Sequence, residues 1–156
     1  MDYTALHTEL TTDPLAIGYS AQLNISDIAV AAMLNATTGN GAATITIPSL
    51  SRGQWDALLI PLEDQVASGL NLSGAALSSA VIAKWNARIA SLRAGDQTIQ
   101  TSVMTPFLNS AVTDGLITSA FLTQITTRMG SRAEVLFGAG TVAQWQDIAR
   151  AMGRLA

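Results

Sequence analysis

Apolar side chains recur at helical spacing along most of the chain, and this pattern predicts a mainly α protein. Leu6 and Leu10 share one face of the first such segment. A 3-4-3 spacing relates four apolar residues of a longer segment: Ile82, Trp85, Ile89 and Leu92. The predicted helices span residues 2–12, 14–18, 27–36, 51–59, 61–66, 73–93, 98–110, 119–129 and 142–152.

Polar residues that cap helices mark most of these boundaries. Asp2, Ser26 and Thr118 each precede a helical pattern, and Asp13 followed by Pro14 is typical of a helix start. Three S/T-x-x-E/Q sequences predict capping boxes: Ser51 with Gln54, Ser131 with Glu134, and Thr141 with Gln144. Gly95 and Gly130 are expected just past helix ends, and Pro61 and Pro106 are expected to interrupt or kink theirs.

One segment, residues 43–47, alternates with a period of two and favours a strand. Because a single short strand is unstable alone, it must be a loop arm, pair with a neighbouring subunit, or find a second strand in this chain. The fold class predicted is therefore mainly α, a compact multi-helix single domain of residues 1–156 with one short β arm or hairpin near 40–50.

Composition excludes several kinds of chemistry. The chain has no cysteine, so disulfides and thiolate sites are excluded, and its single histidine, His7, excludes a site that needs two imidazoles. A hydrolase would require the fold to bring an acid and a hydroxyl to His7. Glycine pairs at 39–41 and 138–140 lack the strand, spacing and lysine of a phosphate loop. We predict no catalytic, cofactor-binding or metal-binding residues, and hence no enzyme.

Charge is sparse and uneven. Residues 1–78 hold seven acids and one base, whereas residues 79–156 hold seven bases and four acids. The two halves either neutralise each other within one fold or create complementary faces between copies. Lys84, Arg88 and Arg93 form a basic stripe on the long helix, and its expected partners are acids of the first half, within the subunit or in a neighbouring one. Without interleaved aromatic residues this stripe does not predict nucleic-acid readout.

Neither a signal peptide nor a membrane span is indicated, since the apolar runs are far shorter than the 18 or more residues that a span needs. We therefore expect a soluble protein made in a cytoplasm. The three tryptophans lie at helical spacing beside aliphatic residues, so they are expected in the core, with an interface anchor as the alternative.

Two segments carry a resemblance to a known family. The first is LTTDPLAIGY at residues 10–19, followed by AAMLN at 31–35, and the second is GSRAEVLFGAGTV at 130–142, followed by DIA at 147–149. Together they resemble small, presumed structural proteins encoded among the virion genes of long-tailed bacteriophages. The resemblance covers the N-terminal quarter and the C-terminal fifth of the chain, and it brings no catalytic residues.

The resemblance implies a virion component that self-associates in symmetric copies and contacts other phage structural proteins, such as capsid, portal or tail components. A junction ring between head and tail and a capsid decoration both suit it. The alternative is a cytoplasmic assembly chaperone absent from the mature particle. Arg132 lies in the first turn of a predicted helix, where a positive charge is unfavourable for the helix dipole. We therefore expect Arg132 to have an acidic partner, to be sought in another subunit before this one. The expected interface residues are Arg132, Lys84, Arg88, Asp13, Tyr19, Ile45 and Ile47.

Overall fold

The computed structural model describes residues 1–94 and 99–155, and it confirms a mainly α fold with small two-stranded sheets. The helices are α1 (Tyr3–Thr12), α2 (Ser20–Leu23), α3 (Asp27–Asn35), α4 (Arg52–Ser68), α5 (Ser79–Ala94), α6 (Thr101–Thr113), α7 (Ser119–Thr126), α8 (Arg132–Phe137) and α9 (Trp145–Ala151). The strands are β1 (Ala43–Thr46), β2 (Ser49–Leu50), β3 (Ile99–Gln100) and β4 (Thr127–Gly130).

The chain divides into two compact units, Met1–Ile45 with Arg128–Ala156, and Thr46–Thr127. In the first unit, α9 contacts both α1 and α3, and α8 contacts α3. The residues of its core are Leu6, Leu10, Tyr19, Leu23, Val30, Ala31, Leu34, Ala133, Ala143 and Ile148. The single domain predicted for residues 1–156 stays a prediction.

In the second unit, α4 packs on α5, and α6 packs on α7. Strands β2 and β3 pair antiparallel, with Ser49 opposite Gln100. Trp85 is fully buried, and its ring meets that of Phe107 edge-on at a centroid distance of 4.9 Å. The face predicted for residues 82–92 is confirmed, because Trp85 and Ile89 are buried and Ile82 and Leu92 pack against the same core.

The predicted strand is also confirmed, and its partner lies in this chain. β1 pairs with β4, and the Thr44 Oγ1 atom lies 3.8 Å from the Met129 sulfur. Gly130 allows a close approach here, since a Cβ at that position would lie 2.6 Å from Ile45 Cδ1. The predicted helix 119–129 is therefore wrong at its end, because residues 127–130 form β4.

Local caps account for most of the confirmed boundaries. The side chains of Asp2, Ser26 and Thr118 accept hydrogen bonds from the first turns of α1, α3 and α7. The capping boxes that begin at Ser51 and Ser131 are both present. The box predicted at Thr141 is wrong, since α9 begins at Trp145 and the Gln144 N–H donates to Asp147 at 2.9 Å.

Three other predicted helices differ from the structure. Residues 14–18 form a turn, because Asp13 ends α1 at φ 42° and its carboxylate accepts the Ile17 and Gly18 N–H groups. Helix α4 continues through Pro61 instead of stopping there. Residues 73–78 precede α5, and the Asn71 side chain accepts the Ser73 and Ala75 N–H groups in a turn.

Helix α6 contains Pro106 within its length. The helix end predicted at Gly95 and the start predicted at 98 lie outside the described residues. Among the residues that the structure describes, no helix has both the length and the hydropathy needed to cross a bilayer.

Candidate functional site

Arg132 has an acidic partner, but the partner is in the same chain. The Arg132 Nε and Nη2 atoms donate to the two carboxylate oxygens of Glu9 at 2.8 and 2.7 Å. The side chains of Arg132 and Glu9 are only 13% and 4% exposed. Placing the expected partner in another subunit first was therefore wrong, and this buried pair ties α8 to α1.

Tyr19 belongs to the same buried cluster. Its hydroxyl donates to Glu9 at 3.3 Å, and the side chain has no exposed surface. Burial raises the pKa of Tyr19 well above its ordinary value, and the neighbouring Glu9 carboxylate raises it further. Asp13 is occupied with the turn that leads to Tyr19. Both of these predicted interface residues therefore have hydrogen-bond partners within the first unit, and their role at an interface stays a prediction.

Lys84 and Arg88 lie beside the buried Trp85 ring, at 5.5 and 5.3 Å from its centroid. Lys84 pairs with Asp114, which also accepts the Trp85 indole N–H at 2.6 Å. Burial alone would raise the pKa of Asp114, but the hydrogen bonds from Lys84 and Trp85 outweigh it and lower that pKa. The acidic partner of Lys84 is thus in the second half of the sequence, not in the first half as expected.

Other bases of the second half do pair with acids of the first half. These pairs are Arg132 with Glu9, Arg154 with Asp27, and Arg93 with Glu63. This arrangement favours neutralisation within the chain over complementary faces between copies. Of the remaining predicted interface residues, Ile45 packs against Gly130, and Ile47 packs against the core of the second unit.

A groove on the first unit is built from α3 and the segment before α9. The Asn35 side chain holds that segment, donating to the Ala143 carbonyl at 2.7 Å and accepting the Ala143 N–H at 2.9 Å. The groove has a volume of about 390 Å³. It is lined by Ile28, Ala31, Ala32, Asn35 and residues 143–146, and none of these described side chains is charged.

Large apolar side chains border this groove without being covered. Ile28 is 69% exposed and Trp145 is 46% exposed. The core position predicted for the tryptophans is thus confirmed for Trp55 and Trp85 and wrong for Trp145, for which the alternative of an interface anchor stays a prediction. The Gln146 Oε1 atom is buried and has no hydrogen-bond partner. We refer to the surface of Ile28, Ala32, Trp145 and Gln146 as the uncharged groove.

The sequence pattern contained one signal for the uncharged groove. Ile28, Ala31, Ala32 and Asn35 lie at helical spacing and all line the groove, but only Ala31 is among the buried residues of α3, which are Val30, Ala31 and Leu34. A helix with apolar residues on two faces can present one of them to a partner. Neither Glu9 nor Asn35 is visible as a partner in the sequence, because their contacts are 123 and 108 residues away.

His7 lies on the surface of α1, where its Nδ1 atom is 2.9 Å from the Ala151 carbonyl oxygen. Tyr3, Thr4 and Ala151 line the shallow depression beside it. Within the described ranges, no group of three or more acidic or histidine side chains is placed to hold a metal ion.

Comparison with known proteins found no matching family model, no matching curated protein and no matching solved structure.

Proposed function

We propose that this chain is a non-catalytic structural component of a tailed-bacteriophage virion, made in the host cytoplasm and assembled into the particle in symmetric copies. Its work is to contact copies of itself and other structural proteins at the head or the head–tail junction. The setting follows from the two segments that resemble virion-cluster proteins, residues 10–19 and 130–142.

The uncharged groove is the observation that carries this proposal. Exposed apolar surface that is contiguous and bordered by polar residues is typical of protein-contact sites. Tryptophan is enriched at the centres of such contacts, and Trp145 lies in the wall of the groove. Since none of its described lining side chains is charged, covering it requires no desolvation of an ion.

The structure also changes which residues we assign to the interface. The polar groups of Arg132, Tyr19 and Asp13 already have hydrogen-bond partners within the first unit, which also carries the uncharged groove. We therefore assign Ile28 and Trp145, which are both exposed, as the residues that a partner would cover. Both a junction ring and a capsid decoration can use a surface of this kind.

Incorporation of groove variants into particles tests the proposal. Phages that encode wild type, Ile28→Ser with Trp145→Ser, or Val103→Ser are purified, and the chain is quantified by mass spectrometry. Val103 is a matched control because it is 67% exposed but lies on α6, outside the groove. We expect the groove variant to be depleted by about tenfold or more while the control is incorporated like wild type.

Two outcomes would overturn different parts of the proposal. If the wild-type chain is missing from purified particles, the virion assignment is wrong and the assembly-chaperone alternative replaces it. If the folded groove variant is incorporated as well as wild type, the groove is not the contact surface. Circular dichroism of the purified variants confirms that each has folded.

A further inference from the structure

The turn that leads into β1 contains an Asn–Gly pair, Asn40 and Gly41. Both residues have positive φ angles, of 46° and 72°, and the Ala42 N–H donates to the Gly39 carbonyl at 2.8 Å across them. These angles and this hydrogen bond are typical of a type I′ turn, in which Asn and Gly are the preferred central residues. Asn40 and Gly41 are half-buried and Gly39 is exposed, so water reaches the turn.

Two groups that can react with each other are both unoccupied in this turn. In the part of the chain that the structure describes, neither the Asn40 side chain nor the Gly41 N–H has a hydrogen-bond partner. A backbone nitrogen can attack the side-chain carbonyl of the preceding asparagine, because the two groups are linked and form a five-membered ring. Gly41 has no Cβ to hinder this attack, and the two glycines that flank Asn40 allow the backbone to rotate out of the turn for it.

The other asparagines do not combine these features. Each of the five is followed by a residue with a Cβ atom, which hinders the approach of the backbone nitrogen: Asn24, Asn35, Asn71, Asn86 and Asn109. The side chains of Asn35 and Asn71 are also held by hydrogen bonds to backbone groups. Asn40 is therefore the asparagine from which ring closure is expected.

An Asp–Gly pair elsewhere in the chain provides a contrast. Asp114 precedes Gly115, and an aspartate can form the same ring when its carboxyl group is protonated. The Gly115 N–H, however, donates to the Val112 carbonyl at 3.0 Å. The Asp114 carboxylate accepts hydrogen bonds from Lys84 and from the Trp85 indole. Because both reacting groups are occupied, this pair should stay unmodified.

We propose that Asn40 deamidates spontaneously through a cyclic imide formed with Gly41. The Gly41 nitrogen bonds to the Asn40 Cγ atom, the bond from Cγ to Nδ2 breaks, and the Gly41 amide proton leaves with that nitrogen as ammonia. Water then opens the ring at either of its carbonyls, which gives aspartate or isoaspartate, and nothing is oxidised or reduced. The chain gains one negative charge. This inference goes beyond the proposed function, because it concerns a covalent change of the chain itself.

The isoaspartate product should disturb the contacts of this turn. A Cβ at Gly41 would lie 2.8 Å from Leu15 Cδ1 and 3.0 Å from Arg132 Cδ, so the backbone of the turn lies directly against these two side chains. Isoaspartate adds one atom to the main chain just before Gly41, and this displaces the contact. Since close-packed groups do not absorb such a change without loss, we expect the isoaspartate form to be less stable than the unmodified chain.

Mass spectrometry of the purified full chain, incubated in H₂¹⁸O at neutral and at mildly alkaline pH, tests the proposal. We expect the peptide that contains Asn40 to gain one ¹⁸O atom, and fragmentation to detect isoaspartate as well as aspartate at that position. Modification should be at least about tenfold faster than at the other asparagines. It should also be faster at the higher pH, because the deprotonated Gly41 nitrogen is the nucleophile.

The stability of the modified chain is measured by thermal denaturation. The isoaspartate form, separated chromatographically, should melt about 2 °C or more below fresh wild type. Asn40→Gly is the matched control, since glycine tolerates a φ of 46° and has no side-chain amide. After the same incubation, this variant should keep its Tm.

The proposal is overturned if Asn40 is modified no faster than the other asparagines, or if aspartate forms there without isoaspartate, since direct hydrolysis gives aspartate alone. Isoaspartate formation at Asp114 at the same rate would show that an unoccupied glycine N–H does not determine the site. An isoaspartate form as stable as fresh wild type would contradict the expected effect on packing. All these measurements use the isolated chain, so their failure is distinct from a failure of incorporation into particles.

Discussion

At the scale of single residues, Arg132 shows what local sequence can and cannot predict. A base in the first turn of a helix opposes the helix dipole, so the need for an acidic partner could be predicted from position alone. Which acid it is could not be, because Glu9 is 123 positions away and only the fold brings the two together. The hydrogen bonds between Asn35 and Ala143 could not be predicted either, because these residues are 108 positions apart in the sequence.

Removing Arg132 should destabilise the first unit strongly. Arg132→Met leaves the Glu9 carboxylate buried without its counter-charge, which we expect to cost about 3–5 kcal/mol of unfolding free energy. Arg93→Met is the control, since its pair with Glu63 lies at the surface, and its denaturation midpoint should stay close to wild type. Urea denaturation measures both.

A second substitution makes this prediction sharper. In Arg132→Met with Glu9→Gln, no charge remains buried, so part of the lost stability should return. If the double variant is as unstable as the sum of both single variants, the ion pair is not what stabilises this cluster.

The lowered pKa of Glu134 predicts that the folded chain loses stability in acid. Hydrogen bonds from Arg128 and from the Gly140 N–H lower its pKa from 4.5 to about 2 in the folded chain. A carboxyl whose pKa is lower in the folded state stabilises the fold above the unfolded pKa, and this contribution is lost as the pH falls from about 4.5 towards 2.

Glu134→Gln keeps a capping residue at this position but removes the titrating group. The unfolding free energy of wild type, measured in urea at a series of pH values, should exceed that of the variant at neutral pH. The difference should narrow below pH about 4.5. Parallel pH profiles would show that Glu134 does not carry the acid dependence.

At the scale of elements, the predictions that depended on adjacent residues were the accurate ones. The caps at Asp2, Ser26 and Thr118 act over two or three residues, so the sequence contains both partners. β4 was missed because a strand needs a partner, and its partner β1 lies about 80 residues earlier. α4 passes through Pro61 because tertiary packing, with Leu58, Leu59 and Leu62 buried, outweighs the local helix-breaking preference.

The close packing of β1 on β4 predicts that a larger residue at position 130 destabilises the fold and that a smaller residue at position 45 restores part of the stability. Gly130→Ala places a methyl group 2.6 to 2.9 Å from three side-chain carbons of Ile45, which is closer than carbon atoms can approach. We expect a loss of about 1–3 kcal/mol in unfolding free energy. Gly53→Ala, on a helix with nothing within 4 Å of the added carbon, is the control and should not be destabilised.

Shortening the opposing side chain should restore the packing. Ile45→Ala in the Gly130→Ala background removes the atoms that the new methyl group meets, so the double variant should be more stable than the sum of the single variants predicts. Strict additivity in thermal denaturation would mean that the two residues are not in contact.

At the scale of the whole molecule, the chain's surface predicts one accessible tryptophan. Trp55 and Trp85 are 3% and 0% exposed, whereas Trp145 is 46% exposed in the wall of the uncharged groove. Iodide should therefore quench one component of the fluorescence, and Trp145→Phe should abolish that component. Quenching that persists in Trp145→Phe would contradict the described exposure.

The groove could be anticipated only in part from the sequence. The helical spacing of Ile28, Ala31, Ala32 and Asn35 marked one face of α3, but sequence spacing does not distinguish a face in the core from a face open to a partner. The charged residues expected at an interface have partners within the chain, which could not be predicted because an unpaired charge in the sequence can be paired in the fold; their interface role stays a prediction. Lys84 with Asp114 is such a pair.

The copy number of this chain in purified virions tests the central claim most directly. Quantitative mass spectrometry against a labelled standard should find the chain at a fixed ratio to the major capsid protein, about six or twelve copies for a junction ring or on the order of hundreds for a decoration, as closed symmetry requires. Particles that lack the chain would contradict the account.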